Sequence, residues 1–191
     1  MELGASAERK HVSATDFVVR RATADDAASV AAVGARLFAQ TFAAQNTADN
    51  MRDYLALAFA EPQIRRELSD PTNVIWLAES HEARAVGYAH VKLGSHSHSK
   101  ALAMKRPAEL SRIYADRQWH GKGLGLRLLG ACVDAATEWN ASHLWLGVWK
   151  ENPRAVAFYA KHGFRIVGEH TFLLGADPQH DWIMVREVAR E

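Results

Sequence analysis

The chain contains His120-Gly121-Lys122-Gly123-Leu124-Gly125-Leu126-Arg127 between a strand-like run that ends at Ala115 and a helical apolar pattern that continues to about Trp139. Glycines at alternate positions leave successive backbone N–H groups without side chains in front of them. The N-terminus of a helix adds unpaired donors and a partial positive charge. The stretch therefore predicts an anion cradle at a strand-to-helix turn, of a kind that suits a pyrophosphate.

Two common nucleotide-binding motifs do not fit this stretch. A Walker loop needs Gly-Lys-Ser/Thr at its end, whereas Lys122 is followed by Gly123, and Asp116 stands where the loop's first glycine would be. The dinucleotide pattern requires a third glycine at the position of Leu128. Either the pyrophosphate belongs to another cofactor, or the glycines serve only a tight turn.

A second segment narrows the choice of cofactor. The run Leu144-Trp145-Leu146-Gly147-Val148-Trp149-Lys150-Glu151-Asn152-Pro153 leads into Arg154-Ala155-Val156-Ala157-Phe158-Tyr159-Ala160-Lys161-His162-Gly163-Phe164. With the glycine cradle, this order resembles the GCN5-related N-acetyltransferase (GNAT) superfamily, whose pattern is Gln/Arg-x-x-Gly-x-Gly/Ala and later Asn and Ala-x-x-Phe-Tyr-x-x-x-Gly-Phe. Further runs at 41–46, 50–55 and 109–114 look like PaiA-type bacterial spermidine/spermine N-acetyltransferases, and this likeness extends from about Phe17 to about Val188.

The order of elements predicts an α/β (α+β) fold. Strands are expected at 17–20, 73–79, 85–93, 110–115, 143–148, 164–174 and 179–188, with a loop at 94–108 and a turn at 175–178. Helices are expected at 23–42, 47–59, 62–68, from the glycines to about 139, and at 152–162. The resemblance implies the GNAT fold, a mixed, mostly antiparallel central sheet with helices on both faces and a splayed cofactor cleft. We expect residues 1–15 to be a disordered extension and residues 16–191 to form a single N-acetyltransferase domain.

Composition limits the classes of function. The 191 residues are 48% hydrophobic and 24% charged, as in ordinary globular domains. A net charge of +1 gives no indication of a nucleic-acid partner. We expect no membrane segment, because no apolar run approaches about 18 residues, and no signal peptide, because residues 1–11 lack an apolar core. The single cysteine, Cys132, lies in a helical apolar pattern and excludes an intrachain disulfide. These features predict a cytoplasmic protein.

The resemblance implies an acetyl-CoA-dependent enzyme that acetylates a primary amine of a small molecule by direct attack in a ternary complex. Polyamines such as spermidine and spermine are the leading acceptors. The loop 94–108 nevertheless carries only basic charges, so an acidic patch for polyamines would have to come from Asp49, Asp53 and Glu109. An amino acid, a peptide N-terminus or an amino sugar stays open as acceptor, as does a non-catalytic acyl-CoA-binding regulator. The sequence leaves open whether the protein forms a homodimer.

The resemblance also assigns cofactor-binding residues. Main-chain groups of Gly121, Lys122, Gly123, Leu124, Gly125 and Leu126 would hold the pyrophosphate, and Ile113, Tyr114 and Ala115 would present strand-edge groups to the pantetheine amides. His120 stands where the family has Gln or Arg, although a second register beginning at Gln118 satisfies the literal pattern. Asn152 would contact the cofactor, and it is equally suited to cap the following helix.

Two residues are candidates for catalysis. Tyr159 matches the tyrosine of the family's Phe-Tyr pair and would be the general acid that protonates the leaving thiolate, although its helical spacing also suits core packing. Glu109, at the start of the central strand, would act as general base through water. Arg112 cannot be a base near neutral pH and is assigned to pairing or charge stabilisation. We expect no metal, because His96-Ser97-His98 lacks a third ligand.

Overall fold

The structure is a computed structural model that describes residues 17–82, 84–95 and 104–188. Its strands are β1 (Phe17–Arg21), β2 (Asn73–Ser80), β3 (Ala85–Leu93), β4 (Pro107–Ala115), β5 (His143–Trp149), β6 (Arg165–Leu174) and β7 (Asp177–Glu187). Its α-helices are α1 (Ala27–Phe42), α2 (Ala48–Ala58), α3 (Glu61–Ser69), α4 (Leu124–Glu138) and α5 (Pro153–Lys161). The extension predicted at 1–15 and the pair His96 and His98 lie outside the described residues.

The strands form one seven-stranded sheet in the order β1-β2-β3-β4-β5-β7-β6. Neighbouring strands are antiparallel except β4 and β5, which are parallel. This parallel pairing joins only Pro107–Glu109 to His143–Trp145, although β4 runs on to Ala115 and β5 to Trp149. The two strands diverge beyond the paired residues, which confirms the mixed sheet and the splayed cleft predicted from the sequence.

Helices cover both faces of the sheet, as predicted. On one face α1, α2 and α3 pack around a cluster that includes Leu37, Phe38 and Tyr88. On the other face α4 and α5 pack around a cluster that includes Leu128 and Leu146. The central strands are thus buried on both sides.

Helix α1 belongs to the first of these two cores. By length and composition alone, the helical stretch Ala24–Gln45 could cross a membrane, since its mean hydropathy is 1.2. In the structure Val30, Val33, Leu37 and Phe38 are buried against the sheet and α3. The apolar character of this stretch is accounted for by core packing.

The structure corrects two strand boundaries. We predicted a loop through 108, but β4 begins at Pro107, since proline is tolerated as the first residue of a strand. We predicted that the last strand begins at 179, but β7 begins at Asp177 and Pro178 pairs with Leu173. Strand β5 ends opposite Asp181, so the absent N–H of Pro178 interrupts no pairing with β5. The turn therefore shortens to Gly175 and Ala176, with Gly175 at a φ of 62°.

Candidate active site

A cavity of about 860 Å³ occupies the gap where β4 and β5 diverge. Ile113, Tyr114 and Ala115 line it from β4, and Gly147 and Trp149 line it from β5. It reaches from the N-terminus of α4 on one face to α1 and the β6–β7 hairpin on the other. A ligand can therefore enter from each face and meet another between the strands.

The glycine stretch forms the entrance on the α4 face. Gly121 and Gly123 have φ values of 74° and 86°, which a residue with a side chain rarely adopts. A Cβ built on either glycine would meet no atom within 4 Å, so the space in front of this backbone is open. The first helical hydrogen bond of α4 is donated by Arg127 to the Gly123 carbonyl, which leaves the N–H groups of 124–126 ahead of it. This arrangement fits an anion.

Only some of the predicted cradle residues line the cavity. Gly121, Gly123, Gly125 and Leu126 line the cavity. Lys122 does not, and its ammonium lies 5.9 Å from the centre of the Trp119 ring. Leu124 is fully buried in the core below α4, so only its backbone is available to a ligand.

His120 lines the same entrance, but its side chain already has a partner. Its Nε2 lies 2.9 Å from the carbonyl oxygen of Ala115, and because a carbonyl only accepts, Nε2 carries the hydrogen. Burial lowers the pKa of this imidazole, and nearby Arg154 and Arg117 lower it further. In the neutral ring Nδ1 is an acceptor, so His120 braces the end of β4 and does not donate to phosphate in this form.

A β-bulge shapes the β4 wall of the cavity. Leu110 pairs with Val91 and Arg112 with His90, which leaves Ser111 as the extra residue of β4. Arg112 lies on the face that carries α3, where it donates to Glu67 over 2.8 Å. Its guanidinium also lies 5.1 Å from the centre of a phenylalanine ring of that core, so Arg112 has the pairing role assigned to it.

Helix α5 supplies the opposite wall of the entrance. Asn152 precedes it, and the Asn152 Oδ1 accepts a hydrogen bond of 3.2 Å from the backbone N–H of Ala155. Asn152 thus caps the helix and lines the cavity at once. Arg154 and Lys161 also line this wall. The sequence analysis did not single out these two cations, which add positive charge beside the glycine turn.

Tyr159 lies in the hydrophobic core and at the wall of the cavity. Its ring packs edge-on against Phe158 and Phe164, with centroids 5.5 Å and 5.6 Å away. The residue is only 8% exposed, yet it lines the cavity. Burial raises the pKa of the phenol, so Tyr159 keeps its proton at neutral pH. It is a core residue that also borders the cleft.

Glu109 lies where the pairing of β4 with β5 ends, opposite Trp145. Its carboxylate lines the cavity and accepts a hydrogen bond from the Ser95 hydroxyl. The Trp145 indole N–H donates to the Ser95 carbonyl over 3.1 Å, which holds Ser95 in place. The structure therefore brings Glu109 into the same cavity as Tyr159.

The acidic patch considered for polyamines does not form as a unit. Asp49 and Asp53 are exposed on α2 and pair with Arg52, and neither lines the cavity. The carboxylate that sequence reasoning missed is Asp181 of β7, which lines the cavity beside His170 of β6. Its signal in the sequence is position, because Asp181 alternates with Ile183 and Val185 on the inward side of a strand.

Other chemistry has little support at this site. In the described ranges 17–82, 84–95 and 104–188, no three His, Cys, Asp or Glu side chains come together as metal ligands. Cys132 is buried in the core below α4, where burial raises the pKa of the thiol, and it does not line the cavity. A cysteine nucleophile therefore has no access to a ligand in the cavity.

Comparison with known proteins assigns the chain to a family. Residues 36–164 match the model of the Acetyltransferase (GNAT) family. The match covers the glycine turn, both diverging strands and Tyr159. The chain therefore belongs to the GNAT family of N-acetyltransferases, and acetyl-CoA is its cosubstrate.

Individual relatives agree with the family assignment. An uncharacterized N-acetyltransferase of Mycobacterium tuberculosis is 35% identical over 163 residues, which cover 85% of this chain and 98% of the relative. The spermine/spermidine N(1)-acetyltransferase of Bacillus subtilis is 31% identical over only 64 residues, 33% of this chain and 42% of that protein. The crystal structure of the PaiA N-acetyltransferase of Thermoplasma acidophilum in complex with coenzyme A has the same fold, with a TM-score of 0.73 at 18% identity over 90% of this chain and 98% of that one.

Proposed function

We propose that this N-acetyltransferase acetylates a primary amine of a small molecule by direct attack within a ternary complex. The observation that carries the proposal is the two-sided cavity. One side ends at the open glycine turn, and the other ends among aromatic side chains and carboxylates, with Tyr159 lining the space between. A covalent enzyme intermediate needs an accessible nucleophile, and the buried Cys132 does not provide one.

The cofactor side would hold acetyl-CoA mainly through backbone groups. Gly121, Gly123 and the first turn of α4 present N–H donors to the pyrophosphate, with Arg154 adding positive charge. The residues 113–115 of β4 present strand-edge groups to the pantetheine arm. Bound acetyl-CoA supplies the activated acetyl group. Asn152 borders the same space while its side chain caps α5.

Tyr159 would donate one proton in the reaction, and Glu109 would accept the other. The Tyr159 hydroxyl donates its proton to the departing sulfur, and its raised pKa keeps that proton available at neutral pH. Glu109 accepts a proton from the amine through water. The two groups line one cavity from different strands and helices, so an acid and a base can act on one substrate.

Polyamines are the first acceptors to test, because the partial relative from Bacillus subtilis is named for them. Glu109 and Asp181 are the carboxylates that would attract such cations in this cavity, alongside Glu151 at its edge. If polyamines are the substrates, the Michaelis constant for spermidine should rise with salt, because salt screens attraction to a polycation. Salt-insensitive kinetics, or good activity on a monoamine with none on spermidine, would remove polyamines.

Release of free thiol from acetyl-CoA with a panel of amines tests the function itself. Amine-dependent release identifies an enzyme, and the best amine identifies the acceptor class. Tight acetyl-CoA binding without release by any polyamine, amino acid, peptide or amino sugar would favour the acyl-CoA-binding regulator instead. Size-exclusion chromatography tests the homodimer, and fractionation of cells tests the cytoplasmic location that the single buried thiol favours.

A further inference from the structure

Asp181 is a carboxylate in the cavity that takes no part in the two proton transfers proposed for Glu109 and Tyr159. It lies on β7 opposite Trp149 of β5, lines the cavity, and is only 8% exposed. Ile183 and Val185, which follow it on the same side of the strand, are buried apolar residues. A carboxylate in such a position costs free energy unless a positive or hydrogen-bonding partner offsets its desolvation. Burial accordingly raises the pKa of Asp181.

The imidazole nearest to Asp181 lies beyond hydrogen-bond distance. Oδ2 of Asp181 lies 3.8 Å from Nε2 of His170, its cross-strand neighbour on β6. Nδ1 of His170 donates to the Thr171 carbonyl over 3.2 Å, so Nε2 of the neutral ring is an acceptor. In the part of the chain that the structure describes, no donor lies within hydrogen-bond distance of Asp181 Oδ1.

Strand β5 has a glycine at the position where the side chains of Asp181 and His170 approach its backbone. A Cβ on Gly147 would lie 2.5 Å from His170 Nε2 and 3.3 Å from Asp181 Oδ2. Any residue other than glycine would push both groups away from β5. Since Gly147 lies beyond the last residue that pairs with β4, the two acceptors sit directly beside the opening of the cleft.

The remaining walls on this side are aromatic. Phe42 lies 6.1 Å from Trp149 and 6.3 Å from Tyr114, and Tyr54 lies 5.6 Å from Phe172, measured between ring centroids. All five rings line the cavity. Aromatic faces attract cations and also pack well against apolar groups. The combination suits a ligand with one charged end and an apolar body.

We propose that Asp181 and His170 form the subsite that binds the ammonium group of the acceptor, and that this subsite favours a primary amine with one cationic nitrogen beside an apolar part over a polyamine. A primary ammonium carries three N–H donors and a positive charge, which match a carboxylate and an imidazole nitrogen that both accept. The aromatic rings hold the apolar part. This assignment deepens the proposed acetyltransferase function and rests on it for the reaction, but ammonium binding can be measured separately.

The test uses 2-phenylethylamine as probe and calorimetry as readout, so it needs no turnover. Wild-type protein should bind the amine and bind 2-phenylethanol, which lacks the charge, at least roughly tenfold more weakly. Asp181→Asn should weaken amine binding by roughly 10- to 100-fold, the usual effect of losing a hydrogen bond to a charged group. Asp181→Glu keeps the charge and should recover part of the affinity. Acetyl-CoA affinity should stay the same in each variant.

Glu169→Gln is the matched control, because Glu169 precedes His170 on β6 but is exposed and paired with Lys150. It should leave amine binding unchanged. A folded Asp181→Asn protein that binds the amine like wild type would overturn the subsite. Equal binding of amine and alcohol by wild-type protein, or no binding of either, would also overturn it, even if Asp181→Asn does not fold. Thiol release with the amine panel fails or succeeds independently, and so reports on the acetyltransferase function alone.

Discussion

At the scale of single residues, the site depends on groups that belong to the core and to the cavity together. Tyr159 packs between two phenylalanines and still borders the cleft. Packing fixes the direction of its hydroxyl, and burial keeps it protonated by raising its pKa. A proton donor held by a packed helix is positioned more firmly than one on a loop.

Tyr159→Phe removes the hydroxyl and keeps the ring. If the hydroxyl is the general acid, turnover should fall by about 100-fold with little change in acetyl-CoA affinity. Tyr88→Phe is the control, because Tyr88 is fully buried and does not line the cavity. That variant should keep wild-type turnover. Steady-state kinetics on the best amine would return Tyr159 to a packing role if its variant stayed within about threefold of wild type.

At the scale of elements, the junction between β4 and α4 is where we propose that the cofactor binds. A short 3₁₀ turn at Arg117–Trp119 and the two left-handed glycines turn the chain so that α4 begins at Leu124. The open space in front of those glycines is what a phosphate would occupy. The conformation of the turn matters here more than any side chain, since Lys122 and Leu124 do not line the cavity.

Gly123→Ala tests this junction. Alanine in a left-handed conformation costs about 1–2 kcal/mol, so the turn should shift and acetyl-CoA affinity should fall by about tenfold or more. Gly130→Ala is the control on the same helix, where an added Cβ would meet nothing within 4 Å. It should leave affinity unchanged and stabilise the protein by about 0.5–1 kcal/mol. Calorimetry and thermal unfolding check both, and equal affinity in the two variants would contradict a backbone cradle.

At the scale of the whole molecule, a buried neutral histidine makes the free energy of unfolding depend on pH. His90 is fully buried between the sheet and α3, and its Nε2 donates to Asn73 Oδ1 over 2.8 Å. Burial holds the pKa of this imidazole well below its ordinary value, and the nearby charges of Arg112 and Lys92 lower it further. His90 therefore stays neutral in the folded protein while it gains a proton in the unfolded chain below about pH 6.5.

The free energy of unfolding should consequently fall as pH drops below about 6.5, since the unfolded state then binds the extra proton. The stabilisation is complete above that pH and is lost toward the lower pKa of the folded state. His90→Gln should reduce the slope between about pH 6.5 and 5 by up to about 1.4 kcal/mol per pH unit. Exposed His180→Gln is the control. Urea unfolding at several pH values measures the slope, and equal slopes in wild type and His90→Gln would refute the assignment.

Local sequence patterns predicted most of the fold and part of the candidate site. Glycine spacing, the Asn-Pro helix start and strand alternation predicted the elements, and the family resemblance predicted their arrangement and several residues that line the cavity. The proposed acceptor side was missed because it forms only through the register of strand pairing. Asp181 and His170 face each other only through the β6–β7 pairing, and Gly147 meets them only through β5. Likewise Asp49 and Asp53 could be counted as acids, but their pairing with Arg52 required the geometry of α2.

The three residue pairs that join β4 to β5 have a mechanical consequence. They are the only strand pairing between the sheet's two antiparallel halves, β1–β4 and β5–β7, in the described structure. We predict that this seam acts as a hinge near Ala108 and Leu144, with β4 moving together with β3 and β5 together with β7. A ligand bound across the gap would hold β4 and β5 at a fixed separation. Amide hydrogens of 110–115 and 146–149 should then exchange with solvent more slowly once coenzyme A is bound, while those of β1 and β2 keep their rates.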